Sequence, residues 1–183
     1  MPAAERETVR QRNLIQDADL FVALAQIAGV FVGFGALISV TRRTEIEPAD
    51  LAHIRGVVTI GLAVIIAALI PLGLGRYGVT GHNLWSICSL VFLSLIWAVL
   101  ILSVRRPDTR ELMFSQARAN PVMAAFFWLL LEVPIQIPLV LAVLGLYPDL
   151  EPAFYTTALV LNLFEAAFVL ARLVYAQVGP PSA

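Results

Sequence analysis

Lysine is missing from this chain, and all 12 basic residues are arginine. That bias fits a GC-rich bacterial genome better than any mechanism, and no chemistry is read into it. The single cysteine, Cys88, excludes an intrachain disulfide and any multi-cysteine metal motif, and its apolar surroundings mark it as a small packing residue. Only two histidines occur, His53 and His82. We expect them on opposite membrane faces, whereas a metal site needs convergent ligands. H-E-x-x-H, P-loop and dinucleotide signatures are all absent. Charged residues make up 14% of the chain, against about a quarter in soluble domains, and no long basic run suggests nucleic acid. The expectation is therefore a protein without enzymatic activity, cofactor, metal or nucleic-acid partner. Residues 1–18 mix acids with arginines and hold no apolar core segment, so no cleavable signal is expected there.

What the chain has is apolar length. Hydrophobic residues form 60% of it. Five runs reach the roughly 20 residues that a bilayer core of about 30 Å requires: 19–40, 54–75, 84–104, 122–146 and 153–176. None alternates as a strand would, so helices are the economical solution for a backbone in lipid. The fold class read from this pattern is all-α, a polytopic integral membrane protein with five transmembrane helices in one bundle. Residues 1–18 form a polar N-terminal tail, 19–178 the membrane domain and 179–183 a C-terminal tail.

Within the first run, Ala25, Gly29 and Gly33 recur every fourth residue, a spacing that lets a second backbone approach one helix face. We assign them to helix packing, inside the chain or between protomers, with Gln26 at the border of the stripe. Thr44 and Glu47, then Asp108 and Glu111, have capping-box spacing and predict short surface helices. Pro71 cannot donate to the carbonyl of Ala67 and predicts a bend, as do Pro134 and Pro138 in the fourth run. Trp85 suits the headgroup level. Ser86, Ser89 and Ser94 can bond back to carbonyls of their own helix and so require no partner.

Arginine placement sets the expected orientation. The first connection carries Arg42, Arg43 and Arg55, and the third carries Arg105, Arg106, Arg110 and Arg118. The second has Arg76 alone and the fourth has none. The positive-inside rule then puts connections one and three in the cytoplasm. Five spans leave the N-terminus outside and the C-terminus inside, against the pull of Arg6, Arg10 and Arg12 in the tail.

The costly residues lie in the last two runs. Glu132 and Gln136 sit mid-run in the fourth, and Asn162 and Glu165 in the fifth, at nearly matching depth from the YPDLEP turn. A charge at a helix centre costs about 2.5–3.5 kcal/mol on insertion scales, and each apolar neighbour returns only about 0.3–0.6 kcal/mol. These acids should therefore face protein or water. Two carboxyls so close cannot both ionise without repulsion. Arg172 shares the Glu165 face but lies about two turns nearer the cytoplasm, where it can snorkel. The reading is a structural or accessory subunit of the bacterial inner membrane. It would self-associate or bind a membrane partner, and Glu132, Gln136, Asn162 and Glu165 would lock its last two helices. The alternative is a small oligomeric proton or cation channel or transporter using Glu132 and Glu165.

Overall fold

The computed structural model describes residues 3–41, 48–105 and 132–178, with positions 110, 118, 121, 122 and 125 between them. Side chains 3–17, 41, 48–50, 52–53, 172–173 and 175–178 are outside that description. The capping signals Thr44 and Glu47, Asp108 and Glu111, and the surface helix expected after the second pair, lie outside the described residues. So do the side chains of His53 and Arg172.

Every described element is helical: α1 (Ala3–Thr41), α2 (Pro48–Arg76), α3 (His82–Arg105), α4 (Val133–Leu144), a 3-10 turn at Pro148–Leu150 and α5 (Glu151–Val178). At 1.5 Å per residue α1 is about 58 Å long. Only Ala18–Val40 of it is apolar enough to cross a membrane, so the polar residues from Ala3 onward continue the same helix. Ile54–Arg76, His82–Arg105 and Pro148–Ala171 also qualify, giving four helices long and apolar enough to span. The fourth run is described from Glu132 on, and α4 itself has 12 residues, about 18 Å. Much of the rest of that run lies outside the described residues. The exterior is apolar: Phe34, Leu90, Leu102 and Phe164 are all more than half exposed. Water would penalise such a surface, and lipid would not.

The centre of the bundle is α5, which packs against α1, α2, α3 and α4. Its buried residues Glu151, Tyr155, Ala158, Leu159, Asn162, Glu165 and Ala166 recur at three- and four-residue spacing, one continuous face of a 3.6-residue helix. Against it stand Phe21, Leu24 and Ala28 of α1, Val64, Ala67 and Ala68 of α2, Cys88 and Phe92 of α3, and Ile135 and Leu139 of α4. The proline effect expected at Pro71 is met by this helix. Pro71 lies inside α2, which continues to Arg76, and the Tyr155 hydroxyl donates to the Ala67 carbonyl at 2.6 Å. The acceptor that proline strands is therefore filled from a neighbouring helix.

Close approach of α1 and α2 does not run along Gly29 and Gly33. A Cβ built at either meets nothing within 4 Å among the described residues. The tight points are Gly61, where a Cβ would lie 2.6 Å from Val32 Cγ2 and 3.3 Å from the Ala28 carbonyl oxygen, and Gly35, at 2.9 Å from Val58 Cγ2. Ala25 does pack against the core. Within one chain the small-residue contact thus shifts to Gly35 and Gly61, because helix rotation is set by the buried Phe21, Leu24 and Ala28. Gly61→Leu should push the two helices apart and cost about 1–3 kcal/mol, while Gly29→Leu should be nearly neutral in detergent-solubilised monomer. Thermal unfolding of the two variants side by side measures this; equal losses would contradict it.

The serines divide three ways. Ser94 Oγ donates to the Leu90 carbonyl at 2.7 Å, back along its own helix as expected. Ser86 Oγ instead crosses to the Val143 carbonyl at 3.4 Å, where the last turn of α4 leaves acceptors without helical donors. Ser89 Oγ is buried with no hydrogen-bond partner among the described residues.

Candidate functional site

The α4–α5 turn sets the geometry of the site. Gly145 ends α4 in the left-handed conformation (φ 63°, ψ 26°), with its N–H bonded to the Ala142 carbonyl at 3.3 Å. The 3-10 turn then leads into α5, so the two helices fold back on each other and pack along their length. Nearly equal arms of about 20 Å separate the turn from Glu132 on one side and Glu165 on the other.

Glu132 is half-buried, with helical backbone angles (φ −64°, ψ −47°), directly ahead of α4. Pro134 falls in the first turn of that helix, where a missing N–H costs nothing, and Pro138 falls inside it. Gln136 lies one turn beyond Glu132, within side-chain reach along the chain. On α5, Asn162 and Glu165 are 4% and 5% exposed, enclosed by the bundle although the helix carrying them is otherwise apolar there. Glu132 directly precedes α4, and α4 packs against the α5 helix that carries Glu165. Asn162 Oδ1 has no hydrogen-bond partner among the described residues, so no bond links it to Gln136 through that atom. The site thus sets the acid–amide pair Glu132 and Gln136 on one helix arm and the buried pair Asn162 and Glu165 on the helix packed against it.

A second polar contact lies at the turn end of the bundle. His82 Nδ1 and Glu151 Oε1 are hydrogen-bonded at 2.6 Å. Glu151 is 1% exposed and the His82 side chain 46%. The acid opens α5, where the helix dipole favours a carboxylate. Its other oxygen, Oε2, is buried without a partner among the described residues. The His82 ring also lies against Gly145, where a Cβ would stand 2.8 Å from its Cε1. One imidazole therefore ties the start of α3 to the end of α4 and the start of α5. Sequence reasoning missed this pair because 69 positions separate its members. One signal was there: Glu151 precedes Tyr155 by four residues and falls in register with Asn162 and Glu165.

Among the described residues no group of three or more His, Cys, Asp or Glu side chains could hold a metal ion. No family model, curated protein or solved structure matches this chain. The class the fold defines is a small protein, helical throughout its described residues, with four helices among them long and apolar enough to cross a membrane.

Proposed function

We propose that this chain is an integral membrane subunit without catalytic activity of its own. It would lie in the bacterial inner membrane with its N-terminus outside and C-terminus cytoplasmic, as five spans, self-associated or bound to another membrane protein. Glu132, Gln136, Asn162 and Glu165 hold its last two helices in register. The observation that carries this reading is the burial of Asn162 and Glu165, 4% and 5% exposed, on the α5 helix that packs against α4. Polar side chains packed between apolar helices specify one alignment, because any slip leaves them against hydrocarbon.

The lock makes a directional prediction. Glu132→Gln/Glu165→Gln retains hydrogen-bonding groups of the same size and should unfold in mixed micelles within about 0.5 kcal/mol of the parent. Glu132→Leu/Glu165→Leu should lose about 1–2 kcal/mol, the scale of interhelical hydrogen bonds in lipid. A double-leucine variant as stable as the parent would end the lock reading.

Asn162 Oδ1, without a partner among the described residues, and the buried Glu165 carboxyl one turn on support a second reading, a proton or cation relay through an oligomer. It predicts flux across liposomes that falls in Glu132→Gln or Glu165→Gln. Flux unchanged in both variants, or absent from the parent, removes it.

A further inference from the structure

Gln26 faces outward from within an apolar helix. It lies inside the apolar part of α1, Ala18–Val40, about 12 Å from the Ala18 end. The buried stripe of α1 is Phe21, Leu24, Ala28 and Gly35. At 3.6 residues per turn Gln26 points about 170° away from the centre of that stripe, straight out of the bundle. Thr59 and Ser94 are also exposed on apolar helices, but each donates back to a carbonyl of its own helix, Arg55 and Leu90. Gln26 is exposed, and no side-chain hydrogen bond among the described residues engages it. Lysine and arginine snorkel to water on long stems, whereas glutamine's stem is short. An amide left unpaired in hydrocarbon is costly, so this one calls for a partner in the membrane.

Amide chemistry selects that partner. A primary amide carries two N–H donors and a carbonyl acceptor, and a second primary amide satisfies both kinds at once. Elsewhere among the described side chains, Asn162 is buried, Gln136 is half-buried, and the exposed Asn83 stands at the start of α3, at a span end. The outward amide at the right depth is therefore Gln26 of a second copy. Two copies inserted with one orientation are related by a two-fold axis along the membrane normal, which sets Gln26 opposite Gln26. Val30 and Gly33 flank the same outward line, each about 150° from the buried stripe, and complete a seam of alternating four- and three-residue steps. A Cβ at Gly33 meets nothing within 4 Å among the described residues, so a second backbone can come close enough for the short amides to meet. Asp19 shares this face at the aqueous end of the span, where water and salt screen two carboxylates. We propose that two copies of this chain pair in parallel through this face of α1, with Gln26 bonded to Gln26 across the axis. The inference names the self-associated form of the proposed function and rests on the membrane reading, but it uses neither Glu132 nor Glu165.

The full chain, labelled at its N-terminus with a donor or an acceptor dye, is reconstituted in phosphatidylcholine vesicles. Energy transfer is then followed against the protein-to-lipid ratio. Gln26→Leu should raise the ratio at half-association about tenfold, the scale of interhelical hydrogen bonds in lipid. Gln26→Asn keeps an amide and should stay closer to the parent than Gln26→Leu does. Oxidative cross-linking reads the face independently. Val30→Cys should form disulfide-linked dimers, and Ile27→Cys, exposed on the same helix but about 90° off the seam, should not. The parent, whose Cys88 is buried, sets the background. A parent that folds in the vesicles yet stays monomeric overturns the pairing and leaves the membrane reading standing. A chain that stays out of the vesicles defeats both. Equal association of Gln26→Leu and the parent also overturns the pairing, as does Ile27→Cys cross-linking as well as Val30→Cys. Should Gln26→Leu fail to fold, the two cysteine variants still decide the matter.

Discussion

Tyr155→Ala should be the most damaging single truncation in the bundle, lowering stability by about 3–5 kcal/mol as large aromatic deletions do. Tyr155 is fully buried on the hub helix α5. Its ring meets Trp85 at 5.8 Å, Phe92 at 6.0 Å and Phe21 at 6.1 Å between centroids, so one side chain joins α1, α3 and α5. Its hydroxyl adds α2 through the Ala67 carbonyl that Pro71 leaves without a helical donor. The two contributions separate experimentally. Tyr155→Phe keeps the ring contacts and loses only the hydroxyl, which should cost about 0.6–1.7 kcal/mol, the range of interhelical hydrogen bonds in membranes. Reversible unfolding of both variants in mixed micelles gives the split. A Phe variant as unstable as the Ala variant would mean that the hydrogen bond, not aromatic packing, holds the centre.

His82→Ala should cost about 1–3 kcal/mol, because it strips the imidazole partner from a buried carboxyl. Among the described residues Glu151 Oε2 has no partner and Oε1 is bonded to the imidazole. The sign of a second substitution tests this cause. In the His82→Ala background, Glu151→Met removes the stranded carboxyl and replaces it with apolar volume, so the double variant should be more stable than His82→Ala alone. Loss of imidazole packing against Gly145 would act differently: the double variant would then be no better than the single one. Thermal unfolding in detergent distinguishes the two outcomes.

The apolar runs were plain in the sequence because lipid demands length and continuity, and four of the five correspond to helices long and apolar enough to span. The acids Glu132 and Glu165 stood out for the same reason, a charge being conspicuous where every neighbour is apolar. Helix faces were harder to read. The Ala25, Gly29 and Gly33 stripe has the right period, yet among the described residues nothing comes within 4 Å of a Cβ at Gly29 or Gly33, while Gly35 and Gly61 carry the tight approach of α1 and α2. In an almost uniformly apolar helix, hydrophobic periodicity says little about which side faces protein. Rotation is decided by shape, here by Phe21, Leu24 and Ala28 meeting α5 and its neighbours.

Composition and spacing alone thus determined the helical class, the approximate limits of the apolar runs, and the presence of two acid–amide pairs on the last two of them. These are local properties, set by the cost of placing a residue in hydrocarbon. Only the tertiary structure decided that α5 is the hub, that Tyr155 serves the carbonyl freed by Pro71, and that His82 holds Glu151 against the end of α4. Each of those contacts joins residues far apart in the chain. Their partners are chosen by how the helices rotate and pack, which no single run encodes.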